Sequence, residues 1–257
     1  MVHSLYAATS GMTAGLIEHD VIAGNLANID TPGYKRDIPI TGSFREEVIR
    51  SLGTSGSKDH IRTTPLGFIG YGAYIHGISS DHSQGPLVET EGSLDLGIEG
   101  EGYFVVRGPS GDLYTRAGTF KLSQSGTVTT TNDMPVIGTR GPVTIPHDAR
   151  KVEVSADGTI LVDGEVHDKF RIVSCNNPFA IEKIGSGMFR IPPGNIGQAG
   201  LGTFTVRQGF LEMSNVNPIG EMVRMISGMR RYEACQKMIW AIDQTLDKTV
   251  NDVGRVV

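Results

Sequence analysis

The run NPIGEMVRMISGMRRYEACQKMIWAIDQTLDKTVNDVGRVV, residues 217–257, decides how the rest of the chain is read. Within it Met222, Met225, Met229, Tyr232, Gln236, Ile239, Asp243, Leu246, Val250 and Val253 recur at alternating spacings of three and four, so they share one stripe of an α-helix. Only Gln236 and Asp243 interrupt its apolar character. A seam of this kind, sustained over several heptads, is the pattern of a coiled coil. Asn217 suits an N-cap, Pro218 the first helical position and Glu221 the first turn, where the helix dipole favours an acid. At about 1.5 Å per residue such a helix is roughly 58 Å long. A stripe of that length needs a partner.

The opposite end of the chain offers one. Leu5, Ala8, Met12, Leu16, His19, Ala23 and Leu26 fall on one face of a helix predicted over residues 4–28. Gly11, Gly15 and Gly24 each weaken it by about 1 kcal/mol relative to Ala, so it is stable only when packed. The same small residues permit close helix approach. Pro32 and Gly33 end the helix near residues 28–30. Two terminal helices lying antiparallel would bury each other's stripes.

Between them the character changes. Residues 37–84 read as an irregular connector, with a short helix predicted through Phe44, Val48, Ile49 and Leu52, a flexible loop from Gly53 to Lys58, and extended chain over Thr63–Ile78. From 85 to 210 short alternating runs are separated by turn signals, among them two Asp-Gly pairs, Asp157-Gly158 and Asp163-Gly164, flanked by β-branched residues. The predicted fold is mainly β. An antiparallel β domain (85–210) is flanked by an N-terminal helix and turn (1–36) with its connector (37–84), and by a C-terminal helix (211–257), the helices pairing as a coiled coil.

Composition narrows function by exclusion. The 257 residues are 39% hydrophobic and 20% charged, enough for a core, and 34 Gly with 12 Pro favour β structure and turns. A net charge of -5 argues against a nucleic-acid partner, because no basic stripe would neutralise phosphates. Cys175 and Cys235 have no metal-like spacing and read as two unpaired thiols. No basic and apolar leader opens the chain and no long apolar run crosses it, so neither a cleaved signal nor membrane insertion is expected, and composition alone points to the cytoplasm. The histidines are scattered, with none at i, i+4. The Gly97–Gly102 run precedes a strand, whereas a dinucleotide fingerprint must follow one, and the acid pairs Glu89/Glu91 and Asp95/Glu99 read as solvated charges. No enzymatic activity, no cofactor and no metal site are expected.

Four stretches then carry a family. DVIAGNLANIDTPGYK (20–35) resembles the N-terminal signature of the bacterial flagellar axial proteins, the rod, hook and hook-associated family. QGFLEMSNVNPIGEMVRMI (208–226), continuing through Arg231-Tyr-Glu233, resembles the matching C-terminal signature. DLGIEGEGYFVV (95–106) and YTRAGTF (114–120) are similar to the central domain of the rod proteins, and residues 135–160 look most like the proximal-rod member, with the distal-rod member a close alternative.

The resemblance implies a structural rod subunit that leaves the cell through the flagellar type III export apparatus and assembles in the periplasmic basal body with copies of itself and other rod and hook proteins. Its expected assembly interface joins the helix stripes to the signature asparagines: Leu5, Ala8, Met12, Leu16, Asn25, Leu26 and Asn28 at one end, and Met222, Met225, Met229, Tyr232, Gln236, Ile239, Asp243, Leu246 and Val250 at the other. In that setting Gln236 and Asp243 become candidate register-setters. A reading of a different class is a peptidoglycan-binding β module whose helices only oligomerise it.

Overall fold

The computed structural model describes residues 2–43, 46–53, 62–70, 72–198 and 203–253. The chain forms two compact units. One gathers residues 1–24, 37–79 and 219–257; the other gathers residues 25–36 and 80–218.

The first unit holds most of both helices, α1 (Val2–Ala27) and α2 (Pro218–Val253). Helix α1 stops where Pro32 and Gly33 require it to, and Gly33 sits at φ 68°. Helix α2 begins on Pro218 with Glu221 in its first turn, as its sequence predicts. The connector is not irregular. Asp37–Ser43 pairs with Ala73–Ser80, and Glu46–Gly53 pairs antiparallel with Arg62–Gly70. The short helix expected through Val48, Ile49 and Leu52 is therefore a strand, while Phe44 and residues 54–58 of the expected loop lie outside the described residues. A nine-residue stretch is too short to hold a helix unaided, and β-branched Val48 and Ile49 opposite the Arg62–Gly70 strand favour the hairpin.

The second unit is antiparallel β. Its largest sheet runs in the order Glu182–Gly185, Met188–Arg190, Gly111–Thr115, Tyr103–Gly108, Ile172–Cys175, Ile196–Gln198. A three-stranded meander (Val152–Val154, Thr159–Val162, Glu165–Lys169) turns at both predicted Asp-Gly pairs. Asp163 and Gly164 both have positive φ, 51° and 91°, the pair a two-residue hairpin turn demands. The central strand YFVV is covered on both faces. Phe104 and Val106 join Leu96, Phe120, Val128, Ile160 and Phe170 on one side, with the Phe104 and Phe120 rings edge-on at 5.1 Å. Tyr103 and Val105 join Tyr114, Val173, Phe189 and Ile191 on the other. Burial on both faces is why this strand shows a continuous apolar run rather than alternation.

Candidate assembly surfaces

Helices α1 and α2 meet within the first unit at three levels. Glu18 accepts an ion-paired hydrogen bond from Arg231 at 2.6 Å. A Cβ placed on Gly11 would come within 3.3 Å of the Cys235 sulfur. Leu5 borders a hollow of about 330 Å³ with Gln236, Ile239, Trp240, Ile242, Asp243 and Leu246. As the α1 number falls from 18 to 11 to 5, the α2 number rises from 231 to 235 to about 240, so the helices run antiparallel.

The stripe of α2 turned inward differs from the one the spacing picks out. Glu221, Met225, Gly228, Tyr232, Cys235, Ile239 and Ile242 are buried or half-buried, again at spacings of four and three. Met225, Tyr232 and Ile239 belong to both stripes. The alternate positions move by one residue, so that Gly228, Cys235 and Ile242 face inward while Met229, Gln236 and Asp243 are exposed. On α1 the less exposed residues include Ala8, Gly11, Gly15, Glu18 and Ile22 at spacings of three and four. Met12 and Leu26 are half-buried, whereas Leu5 and Leu16 are exposed. Interaxial distance follows the size of the contact residues. At the Gly11–Cys235 contact the glycine leaves room that a larger side chain would fill. Hydropathy weighs Met229 above Gly228, which is why the spacing points one residue aside.

The outward surfaces remain apolar. Ile219, Met222, Val223, Ile226 and Met229 are all at least half exposed on α2, and Leu246 and Val250 lie exposed further along. A second hollow, about 500 Å³, opens where Leu5, Tyr6 and Ile17 of α1 face Tyr74 and Ile75. An isolated domain rarely leaves an apolar stripe this long uncovered.

In the β unit the turn after α1 is pinned by polar contacts. Buried Asn25 accepts from the Tyr34 hydroxyl at 3.3 Å, and half-buried Asn28 accepts from Thr31 Oγ1 at 3.3 Å. The Lys183 ammonium lies 3.7 Å above the Tyr34 ring centre. Asn215 accepts from the Arg36 N–H at 2.8 Å and donates to the Asp81 carbonyl at 2.8 Å. Glu212 is wholly buried between Lys35, at 2.6 Å, and Arg116, at 3.1 Å. Lys35, Arg116 and Glu212 fall within the signature stretches, yet nothing in their local sequence marks a role for them. Burial of charge leaves no signal in local spacing.

Beside this cluster His82 lies edge-on to Tyr103 and Phe189, and its Nδ1 is 3.0 Å from the Tyr103 hydroxyl. Burial first, then the charges of Lys35 and Arg116, push its pKa down to about 4. Burial likewise pushes the Tyr103 hydroxyl up to about 12. Among the described residues no three His, Cys, Asp or Glu side chains gather as a metal site, and no described helix is long and apolar enough to cross a membrane.

Three family descriptions match along the chain: "Flagella basal body rod protein" over residues 5–35, "Flagellar hook protein FlgE/F/G D1 domain" over 97–162, and "Flagellar basal body rod FlgEFG protein C-terminal" over 207–252. The chain is 33% identical to the flagellar basal-body rod protein FlgG of Bacillus subtilis, covering 98% of this chain and 99% of that one. The chain belongs to the flagellar basal-body rod protein family. It is 32% identical to FlgG of Buchnera aphidicola subsp. Acyrthosiphon pisum, over 96% of this chain and 98% of that one, and 27% identical over the full length of both chains to FlgF of Caulobacter vibrioides. This rod protein is a structural subunit, and its first and last matched stretches take in most of α1 with its pinned turn and nearly all of α2.

Proposed function

We propose that this rod subunit builds its filament through the paired terminal helices. In this reading α1 and α2 form an antiparallel coiled coil within each chain, and the outward stripe of α2 (Ile219, Met222, Val223, Ile226, Met229) packs on neighbouring copies. A contact between different surfaces of identical subunits that does not close on itself propagates as a helix. Repeated along the rod, it resists shear and carries torque for motility. The remaining site residues named from the sequence (Leu16, Gln236, Asp243, Leu246, Val250) are exposed and available to the same contact. Delivery through the flagellar export apparatus to a periplasmic rod, among other rod and hook proteins, completes the proposal.

The observation that carries it is the exposed apolar stripe of α2, on a helix that touches α1 at Glu18–Arg231 and Gly11–Cys235. Burying a large apolar side chain contributes about 1.5–3 kcal/mol, so five such residues amount to a substantial drive toward a neighbour. The test is motility and basal-body isolation with Met222→Asp/Met229→Asp in place of the wild-type chain. Swimming and the rod are expected to be lost while the purified monomer keeps its helicity. Intact rods carrying both substitutions would overturn the reading. Position along the rod, proximal or distal, is read by cross-linking to neighbours in the same basal bodies.

A further inference from the structure

The β unit encloses a charge cluster for which rod assembly supplies no role. The side chains of Lys35, Glu212 and Arg116 are 1%, 0% and 5% exposed. Glu212 Oε1 accepts from Lys35 Nζ at 2.6 Å and from the Gly85 N–H at 3.0 Å, and Oε2 accepts from Arg116 at 3.1 Å. Lys35 also donates to the Ser83 carbonyl at 2.6 Å, and Arg116 to the Gly100 carbonyl at 2.9 Å. The main chain repeats the connection, since the Glu212 carbonyl accepts from the Gly33 N–H at 2.7 Å. Gly33 is at positive φ, and a Cβ there would strike the Ala117 backbone, next to Arg116. Three remote stretches thus converge on one carboxylate. Each of the three family matches contributes one member: Lys35 from 5–35, Arg116 from 97–162 and Glu212 from 207–252.

One anion standing between two cations is an unequal arrangement. A buried ion pair gives little net stability when complete, but removing one partner leaves a desolvated charge at severe cost. Here Glu212 is the shared partner. Without it the Gly85 N–H loses its acceptor, and the Lys35 and Arg116 cations keep only the Ser83 and Gly100 carbonyls. The Arg116 Nε has no hydrogen-bond partner among the described residues. Burial pulls the Lys35 pKa down, while the charge and hydrogen bond of Glu212 hold it up.

We propose that this cluster is a completion latch, which lets the β unit close only when its last strand, Phe210–Glu212, places Glu212 between Lys35 and Arg116. An incomplete chain has two cations to bury and nothing to bury them against, so its closed form is out of reach. The strand Leu87–Glu89, which pairs with Phe210–Glu212, is held open by the same lack. An apolar trio in these positions would pack without waiting for the final segment. The ionic version makes closure conditional on residues remote in sequence coming together at one point, Lys35 and Glu212 being 177 positions apart.

The test uses the full-length chain and amide hydrogen exchange. Glu212→Gln keeps the shape and removes the charge. A latch predicts that exchange rises at least about a hundredfold across the whole unit, including the central strand Tyr103–Gly108, because opening becomes global. The triple variant Lys35→Met/Arg116→Met/Glu212→Leu is expected to regain protection to within about tenfold of wild type and to refold faster. A rise confined to residues 85–89 and 208–213 would reduce the cluster to a local pair and overturn the proposal. A triple variant as unprotected as Glu212→Gln would overturn it too. Should Glu212→Gln prove insoluble, wild type and the triple variant decide alone: slower refolding of the triple variant sinks the latch. None of these readouts depends on assembly, so failure here and failure of the rod-contact reading are distinguishable.

Discussion

Gly11 of α1 and Cys235 of α2 face each other so closely that a Cβ on the glycine would sit 3.3 Å from the cysteine sulfur. The two are 224 positions apart, 235 minus 11, and their approach sets the register of the helix pair.

That register makes a covalent prediction. In Gly11→Cys the new sulfur meets Cys235 at a separation suited to a disulfide, whose Cβ atoms stand about 3.8 Å apart. Mild oxidation is expected to consume both thiols and give a monomer of faster mobility on non-reducing gels. Thiols that stay free, or covalent dimers in their place, would show that the helices pair otherwise.

The displaced seam separates two substitutions that a spacing argument treats alike. Ile239→Asp introduces a charge into the half-buried inner stripe, and is expected to cost about 2–4 kcal/mol and to lower helicity in the monomer. Met229→Asp lies on the exposed face and is expected to change monomer stability by less than about 1 kcal/mol while preventing assembly. Circular-dichroism melts paired with a swimming assay read both. Equal loss of stability would return Met229 to the inner seam.

His82 gives the β unit an acid-side weakness. Its folded pKa, near 4, lies below the ordinary histidine value of about 6.5, so the unfolded chain takes up a proton first as pH falls. Stability from this group is complete above pH 6.5 and declines as pH drops through the interval toward 4, by about 1–2 kcal/mol at pH 5. Lys35, Arg116 and Lys183 oppose the proton and Asp81 favours it. His82→Gln is expected to flatten the melting temperature between pH 7 and 5. An unchanged slope would place the acid sensitivity elsewhere.

Gly33 is expected to tolerate no side chain. Alanine there meets both the left-handed backbone, at φ 68°, and the Ala117 main chain. Gly33→Ala is expected to cost at least about 2 kcal/mol in a denaturant titration. Gly15→Ala, whose Cβ would meet nothing within 4 Å, is expected to raise helix propensity and leave stability equal or higher. A harmless Gly33→Ala would mean the turn relaxes.

What the sequence by itself determined is local or periodic. Helix α2 with its proline start, the end of α1 before Pro32, the Asp-Gly hairpins and the apolar YFVV strand are each written in neighbouring residues, because capping, turn chemistry and apolar patterning act over a few positions. The signature stretches, being long and particular, carried the family. The Glu46–Gly53 hairpin strand was not legible, since a strand's partner outweighs its own propensity. Tertiary structure alone decided which of two overlapping heptad stripes turns inward. A count of threes and fours cannot see that Cys235 comes up against Gly11 while Met229 and Gln236 stay exposed. It alone decided, too, that Lys35, Arg116 and Glu212 are buried together, because the cost of a buried charge is set by what surrounds it in space.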